Sequence, residues 1–169
     1  MLRFEKMKKG LSEKELSFIS RLELKQKYFF TRKEIRKYFT SDNEMGVYLH
    51  RLKKKGRILK LNQSKYYLIP IKAVKGKWSE HPFILIDEIM NGKEYCIVGQ
   101  AAKHYWKLID QIPFEYEVVN TKRHTEVTIF NARIKFKKRR KEDIPKGLIK
   151  EIYKHTFKIL TKKEAKEWN

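Results

Sequence analysis

Asn43, Val47, His50 and Lys54 follow one another at intervals of four, three and four residues. At about 100° per residue, a helix carries all four on one side. Gly46, Arg51 and Lys53 flank them, and Met45, Tyr48, Leu49 and Leu52 take the opposite side. An amide, a small apolar group, an imidazole and ammonium groups are the kinds of group that read base edges and phosphates in a duplex major groove. The apolar side would hold such a helix to its own core. The same pattern fits the solvated face of any helix in a basic protein, with Thr31, Ser41 and Glu44 serving only as caps and His50 as a polar surface residue.

A second basic set occupies residues 133–141. Arg133, Lys135 and Lys137 alternate with Ile134 and Phe136, so a strand would turn the three cations outward. Lys138, Arg139, Arg140 and Lys141 continue the run. It reads either as a second polyanion contact or as a strand edge kept basic against edge-to-edge pairing.

Other chemistries lack their residues. The seven glycines are scattered and form no phosphate-cradling loop. No C-x-x-C pair and no metal-spaced pair of histidines occurs; His81, His104, His124 and His155 are isolated. Glu164-Ala165-Lys166 spells the E-x-K of some nucleases without an acidic strand partner before it, and Asp87-Glu88 reads as a solvated helix edge. No nucleophile elbow is present. The sequence assigns no catalytic residue, no metal ligand and no cofactor, and reads as a binding protein rather than an enzyme.

The elements that must position these groups are written mainly in caps. Ser12-Glu15, Thr31-Glu34 and Ser41-Glu44 match the box in which a hydroxyl accepts the third amide and the Glu returns to the first. They predict helices over about 12–24, 31–39 and 42–54, the last stopping before Gly56. Leu16, Ile19, Ser20 and Leu24 mark the inner face of the first; Ile35, Tyr38 and Phe39 mark that of the second. Tyr28-Phe29-Phe30 forms a short extended bridge between them. After Gly56 the period becomes two. Arg57–Leu61 and Lys65–Ile69 predict a hairpin with Asn62-Gln63-Ser64 at its tip. Three helices, then a hairpin, with a basic third helix, is the winged helix-turn-helix order. The wing would lay Lys60, Asn62, Gln63 and Lys65 along a backbone or minor groove. Arg32, Lys33 and Arg36, with these wing residues, would hold phosphates, while Asn43, Val47, His50, Arg51 and Lys54 enter the major groove and Lys53 joins the same DNA-binding surface.

Residues 72–78, with Gly76, read as a linker. Beyond it the pattern predicts a helix over 79–90, strands over 94–98, 114–119, 125–130 and 133–137, and a short helix over 100–108. Residues 144–160 alternate toward a helix, with a strand near 155–160 as the other reading, and Thr161-x-x-Glu164 caps a last short helix. The fold class is therefore α+β: a winged helix-turn-helix domain over 1–71, then a small α+β domain with an antiparallel sheet over 79–169.

Net charge +21 on 169 residues, with a pI near 10, implies an acidic partner. Residues 1–75 carry 21 Lys and Arg against 7 Asp and Glu, while residues 76–169 carry 20 against 13. The N-terminal half is thus the first place to seek a polyanion contact. A Lys- and Glu-rich, Gln-poor surface also fits a heat-adapted host. The single Cys96, the absence of an apolar run near ~20 residues and the lack of an apolar leader point to the cytoplasm and away from a membrane. Tyr95, Tyr105 and Trp106 leave a second class open, an RNA- or ribosome-associated protein that stacks unpaired bases on them, unless they are core.

Several segments together resemble a known family. A winged helix leads through Tyr67-Leu68-Ile69-Pro70 to Gly76 and Trp78. Glu94-Tyr95-Cys96-Ile97-Val98-Gly99 follows, then a short helix with Ala101, Ala102 and His104, then Gln111-Ile112-Pro113. Glu117-Val118-Val119-Asn120 and Ile134-Lys135-Phe136 complete the match, which spans about residues 11–137. In these features the chain is similar to the AbiEi family, the antitoxin component of abortive-infection toxin–antitoxin systems. The resemblance implies a winged helix that binds inverted repeats in double-stranded DNA at its own operon's promoter. It also implies a second domain that helps neutralise a nucleotidyltransferase-like toxin without a stable complex.

Overall fold

Hydroxyl-x-x-Glu signals start three of the helices with both halves of the reciprocal cap in place. In a computed structural model, which describes residues 10–71 and 80–168, the hydroxyls of Ser12, Thr31 and Thr161 accept from the amides of Glu15, Glu34 and Glu164. Those carboxylates in turn accept from the cap amides. The described residues form six α-helices and two sheets, a mixed α+β protein. The chain divides into two compact units, 1–78 and 79–169. The linker at 72–78, with Gly76 and Trp78, lies outside the described residues.

The first unit runs α1 (Glu13–Leu24), β1 (Phe29–Thr31), α2 (Arg32–Ile35), α3 (Asp42–Lys54), β2 (Ile58–Lys60) and β3 (Lys65–Leu68). Its core joins Phe18, Ile19 and Leu22 of α1 to Ile35, to Met45, Leu49 and Leu52 of α3, and to Phe30, Ile58, Tyr66 and Leu68 of the sheet. The inner face of α1 differs from the one its apolar spacing predicts. Leu16 and Leu24 are 46% and 86% exposed, Ser20 is exposed too, and Glu15, Phe18 and Leu22 are buried instead. Phe18 selects this rotation because its ring packs against Phe30, Tyr38 and Phe39 at 6.1, 6.2 and 5.2 Å. The second helix is also shorter than its pattern implies. It is α-helical only to Ile35 and tightens into a 3-10 turn over Arg36–Tyr38. The Tyr28–Phe30 bridge supplies β1, which pairs antiparallel with β3, so the sheet order is β1-β3-β2. Gly56, at φ +66°, ends α3: its N–H reaches Lys53 O and that of Arg57 reaches Leu52 O.

The second unit runs α4 (Pro82–Met90), β4 (Tyr95–Val98), α5 (Gly99–Tyr105), β5 (Glu115–Asn120), β6 (Thr125–Ile129), β7 (Ala132–Lys138), β8 (Leu148–Ile152), β9 (His155–Ile159) and α6 (Lys162–Glu167). Its six strands are ordered β6-β7-β5-β4-β9-β8. The sheet is mixed, not antiparallel as the sequence suggests: β5–β7 and β4–β9 are parallel. Burial explains the insertion of β7 between β5 and β6. Ile134 and Phe136 of β7 are fully covered, whereas Thr125, Glu126 and Thr128 of β6 are exposed and suit an edge. The helix expected over 144–160 is also absent. Those residues form the β8–β9 hairpin, reversed by Tyr153-Lys154 at φ 50° and 65°. Gly147, at φ +55°, enters β8 so tightly that a Cβ there would lie 2.5 Å from Ile159 O. Asp87 is no solvated edge: it accepts the Tyr95 hydroxyl at 2.6 Å, and Tyr95 accepts the Lys158 amide. No helix among the described residues is long and apolar enough to cross a membrane.

Candidate nucleic-acid interface

α3 is held from behind and capped in front. Met45, Leu49 and Leu52 are buried. The Ser41 hydroxyl accepts the Glu44 amide at 3.1 Å, but the return half of this third box is displaced. Glu44 accepts instead from Thr40, at its hydroxyl (2.7 Å) and its amide (2.8 Å), and these bonds hold its pKa below the ordinary carboxylate value. Arg36 clasps the same turn. Its guanidinium donates to Phe39 O (2.7 Å) and Thr40 O and pairs with Asp42 at 2.9 Å. A residue that the sequence assigns to phosphate is therefore bonded into the α2–α3 turn.

The far end of α3 is anchored by a pair that sequence reading missed. Lys55, its C-cap, donates to Glu15 Oε2 at 2.5 Å and to Gly10 O at 3.0 Å. Glu15 is 1% exposed. Burial pushes its pKa up, but the hydrogen bonds from Lys55 and the Ser12 amide, with the Lys55 charge, outweigh burial and hold it below 4.5. In sequence, Glu15 is visible only as a capping partner; the 40-residue reach to Lys55 leaves no local signal.

The outer face of α3 is open. Asn43, Val47, His50, Arg51, Lys53 and Lys54 are exposed. Asn43, Val47, His50 and Arg51 line one depression together with Arg32 of α2, Asp42 and Gly46. Gly46 lines this depression between the outer face of α3 and Arg32. A Cβ there would meet only Arg32 Nη2, at 3.9 Å. A glycine inside a helix costs roughly 0.5–1 kcal/mol relative to alanine, and nothing in this unit's packing requires one at 46. Lys33 is exposed on α2, and Lys60 and Gln63 are exposed on the hairpin. Asn62 shapes the tip itself: its carbonyl accepts from the Ser64 and Lys65 amides at 3.0 and 2.9 Å.

The second basic set is largely balanced. Arg133 pairs with Glu126 at 2.6 Å, Lys135 with Glu115 at 3.6 Å and Lys137 with Glu117 at 2.8 Å. Arg140 clamps Asp143 at 2.9 Å, and Lys141 reaches Glu94 at 3.7 Å. Lys138 and Arg139 have no ion pair among the described residues and line a depression with Thr121. Of the aromatic candidates Tyr95 is buried, while Tyr105 and Trp106 are half-buried. Tyr95 is 1% exposed. Tyr105 packs on Phe83 and Phe157, and Trp106 Nε1 donates to Leu160 O at 2.7 Å. Glu164 accepts the Thr161 amide at 2.7 Å. Burial pushes the Cys96 thiol up to about 12, so it is inert at neutral pH.

No family model matches the chain, and no curated protein matches it.

Proposed function

We propose that residues 10–71 form a winged helix-turn-helix that binds duplex DNA, with α3 entering the major groove and the β2–β3 hairpin as the wing. One observation carries this reading: Asn43, Val47, His50 and Arg51 form a continuous open surface with Arg32 across Gly46. Asn43 and His50 read base edges; Arg32, Lys33, Arg51, Lys53, Lys54 and Lys60 hold phosphates. On its resemblance over about 11–137, the protein is an AbiEi-type regulator. It binds inverted repeats at its own promoter and acts against a nucleotidyltransferase-like toxin, in the cytoplasm. β7 is paired on both sides and guards no sheet edge, and the pairing of Arg133, Lys135 and Lys137 with carboxylates favours a solvated sheet face over a second polyanion contact. Tyr95 is buried, and the half-buried Tyr105 and Trp106 are engaged with Phe83, Phe157 and Leu160 O, which favours the DNA reading over base stacking on these rings.

The test is duplex binding by fluorescence anisotropy across a salt series, with promoter and random DNA. Log affinity should fall with log salt at a slope of about −0.9 per phosphate held. Asn43→Ala and His50→Ala should each narrow the promoter-to-random ratio, at about 1–3 kcal/mol per lost base contact. Lys60→Gln should weaken both duplexes equally. Equal affinity of the unaltered chain for both duplexes at physiological salt overturns sequence-specific binding.

A further inference from the structure

Three cations converge on one tyrosine away from α3. Arg21 from α1, Lys25 at its C-cap and Lys37 from the 3-10 turn lie 5.9, 5.6 and 5.5 Å from the Tyr38 ring centroid. Lys25 Nζ also donates to the Tyr38 hydroxyl at 3.0 Å. The ring is held in place by the edge of Phe18. The hydrogen bond from Lys25, with the charges of Lys25, Lys37 and Arg21, holds the phenol below its ordinary pKa, the mark of a locally positive potential.

Among the described residues no carboxylate balances this group: Arg21, Lys25 and Lys37 form no ion pair, and four neighbouring cations of the unit take carboxylates of their own. Lys55, Lys27, Arg36 and Lys14 take Glu15, Glu34, Asp42 and Glu44, while Glu23 accepts the Ile71 amide. Three like charges gathered on one ring repel one another, and a bound anion would reverse that cost. Two ammonium groups, a guanidinium and a phenol offer donors in the number and kind that suit the oxygens of a phosphate.

We propose that Arg21, Lys25, Lys37 and Tyr38 form a phosphate-binding site separate from the face of α3. The phosphate comes from one of two sources. One is a backbone phosphate of the duplex on α3, a source that rests on the DNA reading above. The other is a free phosphorylated small molecule.

Two measurements on the full chain test it. In the first, the Arg21→Gln/Lys25→Gln/Lys37→Gln variant is compared with the unaltered chain in the salt series. All three side chains are exposed, so the variant should fold, which circular dichroism checks. A duplex phosphate held here makes the slope shallower by about 0.9 in the variant. In the second, the chain is labelled with carbon-13 at the tyrosine ζ position, and Tyr38→Phe assigns the Tyr38 signal. Inorganic phosphate is then added at constant ionic strength, with the exposed Tyr153 as reference. A saturable Tyr38 shift that the triple variant loses, with an unchanged slope, identifies a free phosphate compound. A changed slope identifies the duplex. An unchanged slope together with no Tyr38 shift overturns the site. A chain that binds no duplex refutes the DNA reading alone, because the phosphate titration still decides the cluster.

Discussion

Removing the Lys55 ammonium should be among the most damaging single changes in the first unit. Lys55→Met keeps most of the side chain's length and strips the charge from a pair only 2.5 Å apart. Glu15 is 1% exposed, and its Oε1 has no hydrogen-bond partner even with Lys55 present. Once Lys55 is cut back, the Ser12 amide is the only donor left to the carboxylate among the described residues. Leaving one member of a buried pair uncompensated costs about 3–5 kcal/mol. For a domain whose total stability is ~5–15 kcal/mol, that is a large share. Native-state hydrogen exchange of the α1 and α3 amides reads this unit separately from the other. The pH dependence tests the cause. In the unaltered chain the Glu15 pKa is below 4.5, so its contribution is fully present above that value and fades as pH falls through the folded pKa. In Lys55→Met, the bond and charge of Lys55 are gone while burial still pushes the pKa up against the Ser12 bonds, so the acid protonates at a higher pH than in the unaltered chain. The penalty should therefore shrink by up to about 1.4 kcal/mol per pH unit on acidification, until the pH falls through the folded pKa of the unaltered chain. Glu15→Met/Lys55→Met should recover most of the loss. A penalty of the same size at pH 4 and pH 7, or under about 1 kcal/mol at pH 7, refutes the reasoning.

Gly46→Ala should raise the stability of the first unit by ~0.5–1 kcal/mol in the same exchange measurement while weakening duplex binding. Unchanged affinity would mean that the space above Gly46 is not used. His81 caps α4 through Nδ1, which accepts the Phe83 amide at 3.2 Å, and burial lowers its pKa from 6.5. The folded state then binds fewer protons than the unfolded one, so stability falls as pH drops below 6.5. Denaturation of the second unit, followed by Trp106 fluorescence in a Trp78→Phe/Trp168→Phe background, should show this loss between pH 7 and 5 and a flatter profile in His81→Asn.

What could be read in the sequence was what neighbouring residues settle among themselves. Ser12, Thr31 and Thr161 find their partners three residues on, Gly56 ends α3 through its own φ, and the α3 wheel separates Met45 from Val47 by simple geometry. The misses are long-range. The face of α1 depends on Lys55 for Glu15 and on Phe30 and Phe39 for Phe18. Leu148, Ile149 and Ile152 have helical spacing, and Tyr153-Lys154 carries no Asn-Gly signal, so the β8–β9 reversal was hidden. Of the candidate site, the exposure of the outer face of α3 was legible, whereas the diversion of Arg36 into its own turn was not. That diversion follows from where Phe39 and Thr40 direct their carbonyls.

The parallel pairing of β4 with β9 has a consequence during synthesis. Ile97 waits for Ile159, about sixty residues later in the chain. At ~5–20 residues per second, a ribosome needs roughly 3–12 s to supply them. For that interval β4, buried along its whole length in the finished sheet, can have β5 on one side while its other edge stays bare. The pairings of the first unit all lie between Phe29 and Leu68, so its sheet can close before the second unit's central strand has left the ribosome.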